Sequence, residues 1–119
     1  MLFRSTFITN PGTLTNFQIS GAGTVDGNGS AWWAAFNSSG ISRPYILKLQ
    51  GGSSRSILFN GTTYSNSPME HLAIGGPSNV TFAGVTINTP ASPNTDGIDP
   101  GGANYLIENC SIACGVSAA

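Results

Sequence analysis

The sequence predicts an all-β protein, a right-handed parallel β-helix of about three to four coils, forming one partial domain over residues 1–119. Three observations carry this. Charged residues are only 8% of the chain, against about 25% in an ordinary soluble domain. Polarity comes instead from Gly, Asn, Ser and Thr, which favours turns and strands over helices. Three segments, starting at Ser56, Asn79 and Asn104, carry apolar residues at the same offsets: Ile57/Val80/Tyr105, Phe59/Phe82/Ile107 and Tyr64/Ile87/Ile112. Their starts are 23 and 25 residues apart, and Gly61, Gly84 and Asn109 break each unit at the same place. A strand, a sharp corner and a second strand, repeated at such a period, stack into a solenoid whose equivalent positions form ladders. An antiparallel sandwich is the competing arrangement. The aligned offsets and the absence of two-residue hairpin turns disfavour it.

Residues 1–15 read as a Thr-rich, weakly extended lead-in. Phe17 and Ile19 alternate as a strand, Gly21-Ala22-Gly23 makes a corner, and Thr24-Val25 starts a second short strand. The Gly21-Ala22-Gly23 stretch is not a dinucleotide loop, because the third glycine is misplaced and no helical pattern follows. Ser30 to Phe36 predicts about two helical turns with Ser30 as N-cap. The pair Trp32-Trp33 inside it is expected to plug one end of the core, a sugar-stacking platform being the other use of such a pair. From residue 45 onward the repeats take over.

Composition excludes several classes. The net charge of −1 gives no reason to expect nucleic acid or an anionic membrane as partner. No apolar run approaches the ~20 residues needed to span a bilayer. Met1 to Thr6 lacks the apolar core of a signal peptide. Cys110 and Cys114 are the only cysteines and His71 the only histidine, so no zinc pattern exists. One disulfide is conceivable, but buried thiols are the expected state, with Cys110 stacked under Val85 and pointing inward. The sequons at Asn28, Asn37, Asn60, Asn79 and Asn109 arise readily in such a composition, and Asn79 and Asn109 fall at repeat corners.

Chemistry concentrates in Pro93-Asn94-Thr95-Asp96-Gly97-Ile98-Asp99, which holds two of the five acidic side chains. In a regular strand Asp96 and Asp99 would face opposite ways. A bend at Gly97 would bring them to one side. On the repeat template, Ser67 to Ile74 occupies the same edge one coil earlier. Glu70 or His71 is therefore expected beside the acidic stretch, on a groove suited to a polymer.

Four motifs in order carry a resemblance. Gly23-Thr24-Val25-Asp26-Gly27-Asn28-Gly29 with Trp32-Trp33, then Arg43-Pro44, Asn66-Ser67-Pro68, and Asn94-Thr95-Asp96-Gly97-Ile98-Asp99, resemble the N-terminal half of the polygalacturonases, glycoside hydrolase family 28. The resemblance covers about residues 16–113. It implies a parallel β-helix, no cofactor, a pectic polysaccharide as partner, secretion, and inverting hydrolysis of α-1,4-galacturonosyl links. Inversion needs an acid and a base about 6.5–9.5 Å apart, with a water between. The resemblance assigns Asp96 to the water-activating side, with Asn94 lining the same cleft and Asp99 nearby; His71 joins the substrate-binding candidates from its place on the repeat template.

The chain also departs from that pattern. Where the family carries Gly-Asp-Asp, this chain reads Gly115-Val116-Ser117, and neither Val nor Ser donates a proton as a carboxylic acid does. The family's later Gly-His-Gly and Arg-Ile-Lys motifs are absent, and no Lys or Arg follows Arg55. The expectation is a truncated, inactive relative with an open last coil that favours self-association. The alternative is a non-catalytic polysaccharide-binding β-helix. A surface-binding solenoid with Thr ladders fits worst, since only Thr13-Leu14-Thr15 makes a Thr-x-Thr.

Overall fold

Residues with a left-handed backbone recur at equivalent places from coil to coil, and those residues stack. Asn16, Ser56, Asn79 and Asn104 have φ of 54°, 60°, 55° and 63°, and Gly21, Gly61, Gly84 and Asn109 repeat the device at the next corner with φ of 118°, 81°, 63° and 53°. Gly and Asn tolerate this conformation best. The corners turn the chain sharply enough to bring it back over itself.

The computed structural model describes residues 6–115. Among them the strands are β1 (Ile8–Thr9), β2 (Thr15–Ser20), β3 (Thr24–Asp26), β4 (Leu47–Gln50), β5 (Arg55–Asn60) and β6 (Thr63–Ser65). They continue as β7 (Leu72–Gly75), β8 (Ser78–Ala83), β9 (Thr86–Asn88), β10 (Ile98–Gly101), β11 (Tyr105–Glu108) and β12 (Ser111–Ala113). One helix, α1 (Ser30–Ser39), interrupts them. The strands form three four-stranded sheets, ordered β1-β4-β7-β10, β2-β5-β8-β11 and β3-β6-β9-β12. Every pairing is parallel. This is a parallel β-helix of four coils, each contributing one strand to each sheet.

The ladders expected from the offsets are present. Phe17, Ile57, Val80 and Tyr105 are in register, as are Ile19, Phe59, Phe82 and Ile107. Val25, Tyr64, Ile87 and Ile112 form the third stack. Sheet one adds Ile8, Leu47, Leu72 and Ile98. The two middle coils fill the core, with Leu47, Phe59, Tyr64, Leu72, Val80, Phe82 and Val85 fully buried. Phe59 and Phe82 stack with ring centroids 4.7 Å apart and planes 6° from parallel, which is the spacing of the backbone ladder itself. In the fourth coil Ile107 and Ile112 are each 45% exposed.

Two local expectations change. The helix is N-capped by Gly29, not Ser30, and runs ten residues before Gly40 closes it in a left-handed conformation. Gly29 starts the helix because no side chain fits there: a Cβ would stand 2.7 Å from the Asn66 carbonyl oxygen. Trp32 is buried and Trp33 donates from Nε1 to Ser67 O at 3.0 Å, so the pair clamps the helix onto the coil. Trp33 also faces a cleft of about 170 Å³ shared with Asp26, Asn28, Gly29, Ser30 and Asn66. Cys110 packs against the core and donates to Phe82 O at 3.4 Å. It and Cys114 are free thiols, half-buried rather than enclosed. Extended β12 between them holds them beyond disulfide reach.

The Tyr64 hydroxyl is buried without a hydrogen-bond partner. The neighbouring Thr62 hydroxyl donates to Gly21 O at 2.8 Å, and burial, opposed by Thr62, pushes the Tyr64 phenol up to about 12. Deleting an unpaired buried hydroxyl removes a desolvation cost while keeping the ring. Tyr64→Phe should therefore leave folding unchanged or raise stability by about 1 kcal/mol, read as the midpoint of urea unfolding.

Candidate active site

The chain passes from sheet three back to sheet one through long connections, and the polar chemistry gathers there. Two of them, residues 66–71 and 89–97, lie on successive coils. Arg43 ties them together. Its Nη1 donates to Pro68 O at 3.1 Å and Pro93 O at 2.7 Å, and its Nη2 donates to Asn94 Oδ1 at 2.8 Å. The guanidinium also lies 3.8 Å from the centroid of the Phe36 ring. Burial lowers its pKa, opposed by the charge of Glu70. A planar fork can make three such bonds while stacked, which an ammonium cannot. Asn94 sits at φ 61°, so its side chain fixes the turn as well as meeting Arg43.

Ser67 is the hub of the earlier connection and is wholly buried. Its hydroxyl donates to Glu70 O at 2.9 Å and accepts from Ile46 N at 3.2 Å. Gly27, like Gly29, has no room for a Cβ against this segment, 2.7 Å from Asn66 O. Four of the sequence motifs thus meet at one corner of the solenoid.

Thr95 anchors the acidic loop. It is fully buried, donates from Oγ1 to Ser92 O at 2.7 Å, and accepts from Gly115 N at 3.1 Å. The chain bends at Gly97 before β10 begins. A Cβ there would come within 2.7 Å of Ile112 Cγ2, so the bend is pressed against the core. It cancels the strand alternation and brings Asp96 and Asp99 together. Asp99 Oδ2, Asp96 Oδ1 and Glu70 Oε2 are each buried without a hydrogen-bond partner.

The electrostatics follow from that crowding. Burial, then the charges of Asp96 and Glu70 and a hydrogen bond with Asp96, push Asp99 up to about 6. Glu70 is also raised, by burial first and Asp96 next, with Arg43 and Lys48 opposing. Tyr45 is raised by burial and by Glu70 and Asp99. Lys48 completes the setting, its Nζ 4.9 Å from the Tyr45 ring centroid. In sheet one, Lys48 pairs with Ala73 and Ala73 with Asp99. Alternation puts all three on the outer face, two coil spacings or about 9.6 Å from end to end.

Glu70 and His71, both expected beside the acidic stretch, are found there: the charge of Asp96 bears on Glu70 and Asp99, and His71 bonds the Asp96 carbonyl. Asn94 lies on the same loop, bonded to Arg43. His71, expected on the groove wall, has no exposed surface. The chain turns inward before β7, and both ring nitrogens are taken, Nε2 by Ser67 N at 3.2 Å and Nδ1 by Asp96 O at 3.1 Å. Burial lowers its pKa. Lys48, Tyr45 and Arg43 are members that motif reading did not place in the cleft. The signal for Lys48 was the alternation Leu47-Lys48-Leu49, which turns it outward. Among the described residues no group of three His, Cys, Asp or Glu is arranged to hold a metal ion. Val116 and Ser117, which follow Gly115 where the resemblance expects an acidic pair, lie outside the described residues.

Fold and site together define a β-solenoid with an acidic cleft at one corner. The chain belongs to the glycosyl hydrolases family 28, whose model matches residues 5–116. It is 41% identical over 99 residues to a probable polygalacturonase of Arabidopsis thaliana, covering 82% of this chain and 20% of that protein. It is 36% identical over 114 residues to a polygalacturonase of Juniperus ashei, covering 86% and 22%. An endo-xylogalacturonan hydrolase A of Aspergillus tubingensis is 33% identical over 106 residues, covering 83% and 26%. The chain thus spans about a fifth to a quarter of the length of these relatives. No solved structure gives a significant match.

The raised pKa of Asp99 has a definite consequence for stability. Between about 4 and 6 the folded state holds a proton that the unfolded state has released, so stability falls as pH rises through that window. Below it both states are protonated and the penalty vanishes. Asp99→Asn should therefore raise the melting temperature at pH 7 and lose that advantage below pH 4. Solvent screening holds the gain to about 1 kcal/mol or less. Thermal melts of both proteins across pH 3.5–7.5 check it.

Proposed function

We propose that the chain carries the water-activating side of a cleft that hydrolyses α-1,4-galacturonosyl links in pectic polysaccharide with inversion. The observation that carries this is the convergence of Glu70, Asp96 and Asp99, each with a buried oxygen left unpaired. Such oxygens are acceptors awaiting donors, and water or a sugar hydroxyl supplies them. The printed names of the relatives, polygalacturonase and endo-xylogalacturonan hydrolase, support a galacturonan backbone as the substrate. Asp96 takes the proton from the attacking water. Asp99 stands beside it, its own carboxyl pushed up by burial and by the charges of Asp96 and Glu70. Asn94 shapes the cleft, and Lys48 supplies positive charge on the same sheet face for a uronate carboxylate.

Asp96 and Asp99 stand on one bend, and the charge of Asp96 bears on Asp99. Both are assigned to the same side of the cleft, so the acid that an inverting pair needs about 6.5–9.5 Å away lies elsewhere. The proton donor to the leaving oxygen must come from across the cleft, and the sequence Gly115-Val116-Ser117 contains no carboxylic acid. This chain by itself is therefore proposed to bind oligogalacturonides without turning them over.

Reducing-end release from polygalacturonic acid tests the first half and titration calorimetry with an oligogalacturonide the second. The expected result is binding without release, with affinity changed at least about threefold by Asp96→Asn. Release abolished by Asp96→Asn would mean that a second acid exists in the chain. Neither binding nor release would remove the galacturonan reading.

A further inference from the structure

Asp96 is held through its own carbonyl by a single residue. His71 N donates to Asp96 O at 2.9 Å and His71 Nδ1 lies 3.1 Å from the same oxygen. A carbonyl has two lone pairs, and one histidine satisfies both. Leu72 N donates to Gly97 O at 3.0 Å, extending the grip one residue further. The other ring nitrogen settles the tautomer. Ser67 N is a donor and reaches His71 Nε2 at 3.2 Å, so Nε2 must accept. The proton therefore resides on Nδ1 and points at Asp96 O, which can only accept. The ring has no exposed surface. A second proton on Nε2 would face the Ser67 N–H with no acceptor, which is why a buried imidazole here stays neutral.

We propose that His71 is a positioning residue: a neutral imidazole, protonated on Nδ1, that fixes the Asp96 backbone so that its carboxylate stays against Asp99. The role of Asp96 rests on the function proposed above, but the placement of its carboxylate does not. The geometry makes a chain of fixed parts. Trp33 Nε1 holds Ser67 O at 3.0 Å, Ser67 N holds the imidazole, and the imidazole holds Asp96. Helix α1 is thereby linked to the carboxylate two coils away. Asp96 itself has an unpaired Oδ1, so no side-chain hydrogen bond to that oxygen stands in for the backbone grip. The groups that bear on Asp99 are Asp96, Glu70 and Tyr45, with Lys48 acting on Glu70. Of these, Asp96 is hydrogen-bonded to His71 through its carbonyl, and Glu70 is bonded to His71 as its neighbour in the chain.

The test needs no turnover, so it separates this inference from the catalytic reading. Long-range nitrogen–proton NMR on the intact chain reports the tautomer, and carbon-detected titration of the Asp carboxyls reports how closely Asp96 sits to Asp99. The expected spectrum shows a neutral ring protonated on Nδ1 at pH 6. In His71→Leu, which keeps the bulk but neither nitrogen, the Asp99 midpoint should fall by at least about half a pH unit as Asp96 drifts away. In His71→Asn, whose amide keeps a donor near the Nδ1 position, it should stay within about 0.2 of the parent. A ring protonated on Nε2, or charged at pH 6, overturns the proposal. So does a folded His71→Leu protein with an unmoved Asp99 midpoint. If His71→Leu does not fold, the tautomer and the His71→Asn midpoint decide: a shifted midpoint in His71→Asn overturns it as well.

Discussion

Parallel backbone ladders hold each coil at a fixed height above the last, and nearly everything else in the molecule follows from that spacing. A strand paired in parallel to its successor puts residue over residue about 4.8 Å apart. That is why Phe59 and Phe82 stack face to face at 4.7 Å and why left-handed residues recur at the same corner four times. The same spacing fixes the outer face of sheet one. Lys48, Ala73 and Asp99 occupy successive steps of a single row. A small residue thus stands between the cation and the acid.

The corner joining sheet three to sheet one works by a different rule. Its connections are long and irregular, so each buried polar group there needs a specific partner. Gly27 and Gly29 yield space to Asn66, Ser67 bonds four neighbours, Arg43 joins two connections, and Thr95 closes the acidic loop. Much of what marks this family in the sequence is therefore scaffold. Only at Glu70, Asp96 and Asp99 does the network end in oxygens with nothing to accept.

The solenoid was legible because its regularity is written residue by residue. The offsets of Ile57, Phe59 and Tyr64 predicted the register of sheets two and three, and Gly61, Gly84 and Asn109 marked the corners. Sheet one was less visible, since its strands were not aligned with one another and Lys48 was not matched to Asp99. The cleft was partly legible. Gly97 signalled the bend that reunites Asp96 with Asp99, and Glu70 fell where the repeat placed it. His71 also meets the acidic stretch, but from inside rather than on the groove wall, because its orientation is set by a turn that precedes β7 rather than by strand alternation. Ser30 failed as a cap for a similar reason. Capping preference is local, whereas Gly29 is selected by the approach of Asn66 from another coil. Tertiary contact decided both.

Helix α1 shows where this architecture tolerates growth. It is inserted between β3 and β4, yet β3 and β6, one coil apart, remain in register. A single residue added inside a ladder would invert every side chain beyond it. A whole helix added at the long corner displaces nothing in the stack. The largest variation in length thus falls at one edge of the solenoid, the edge that carries Glu70 and Asp96. New surroundings for the cleft can arise there by insertion alone, while the ladders that hold its carboxylates keep their spacing.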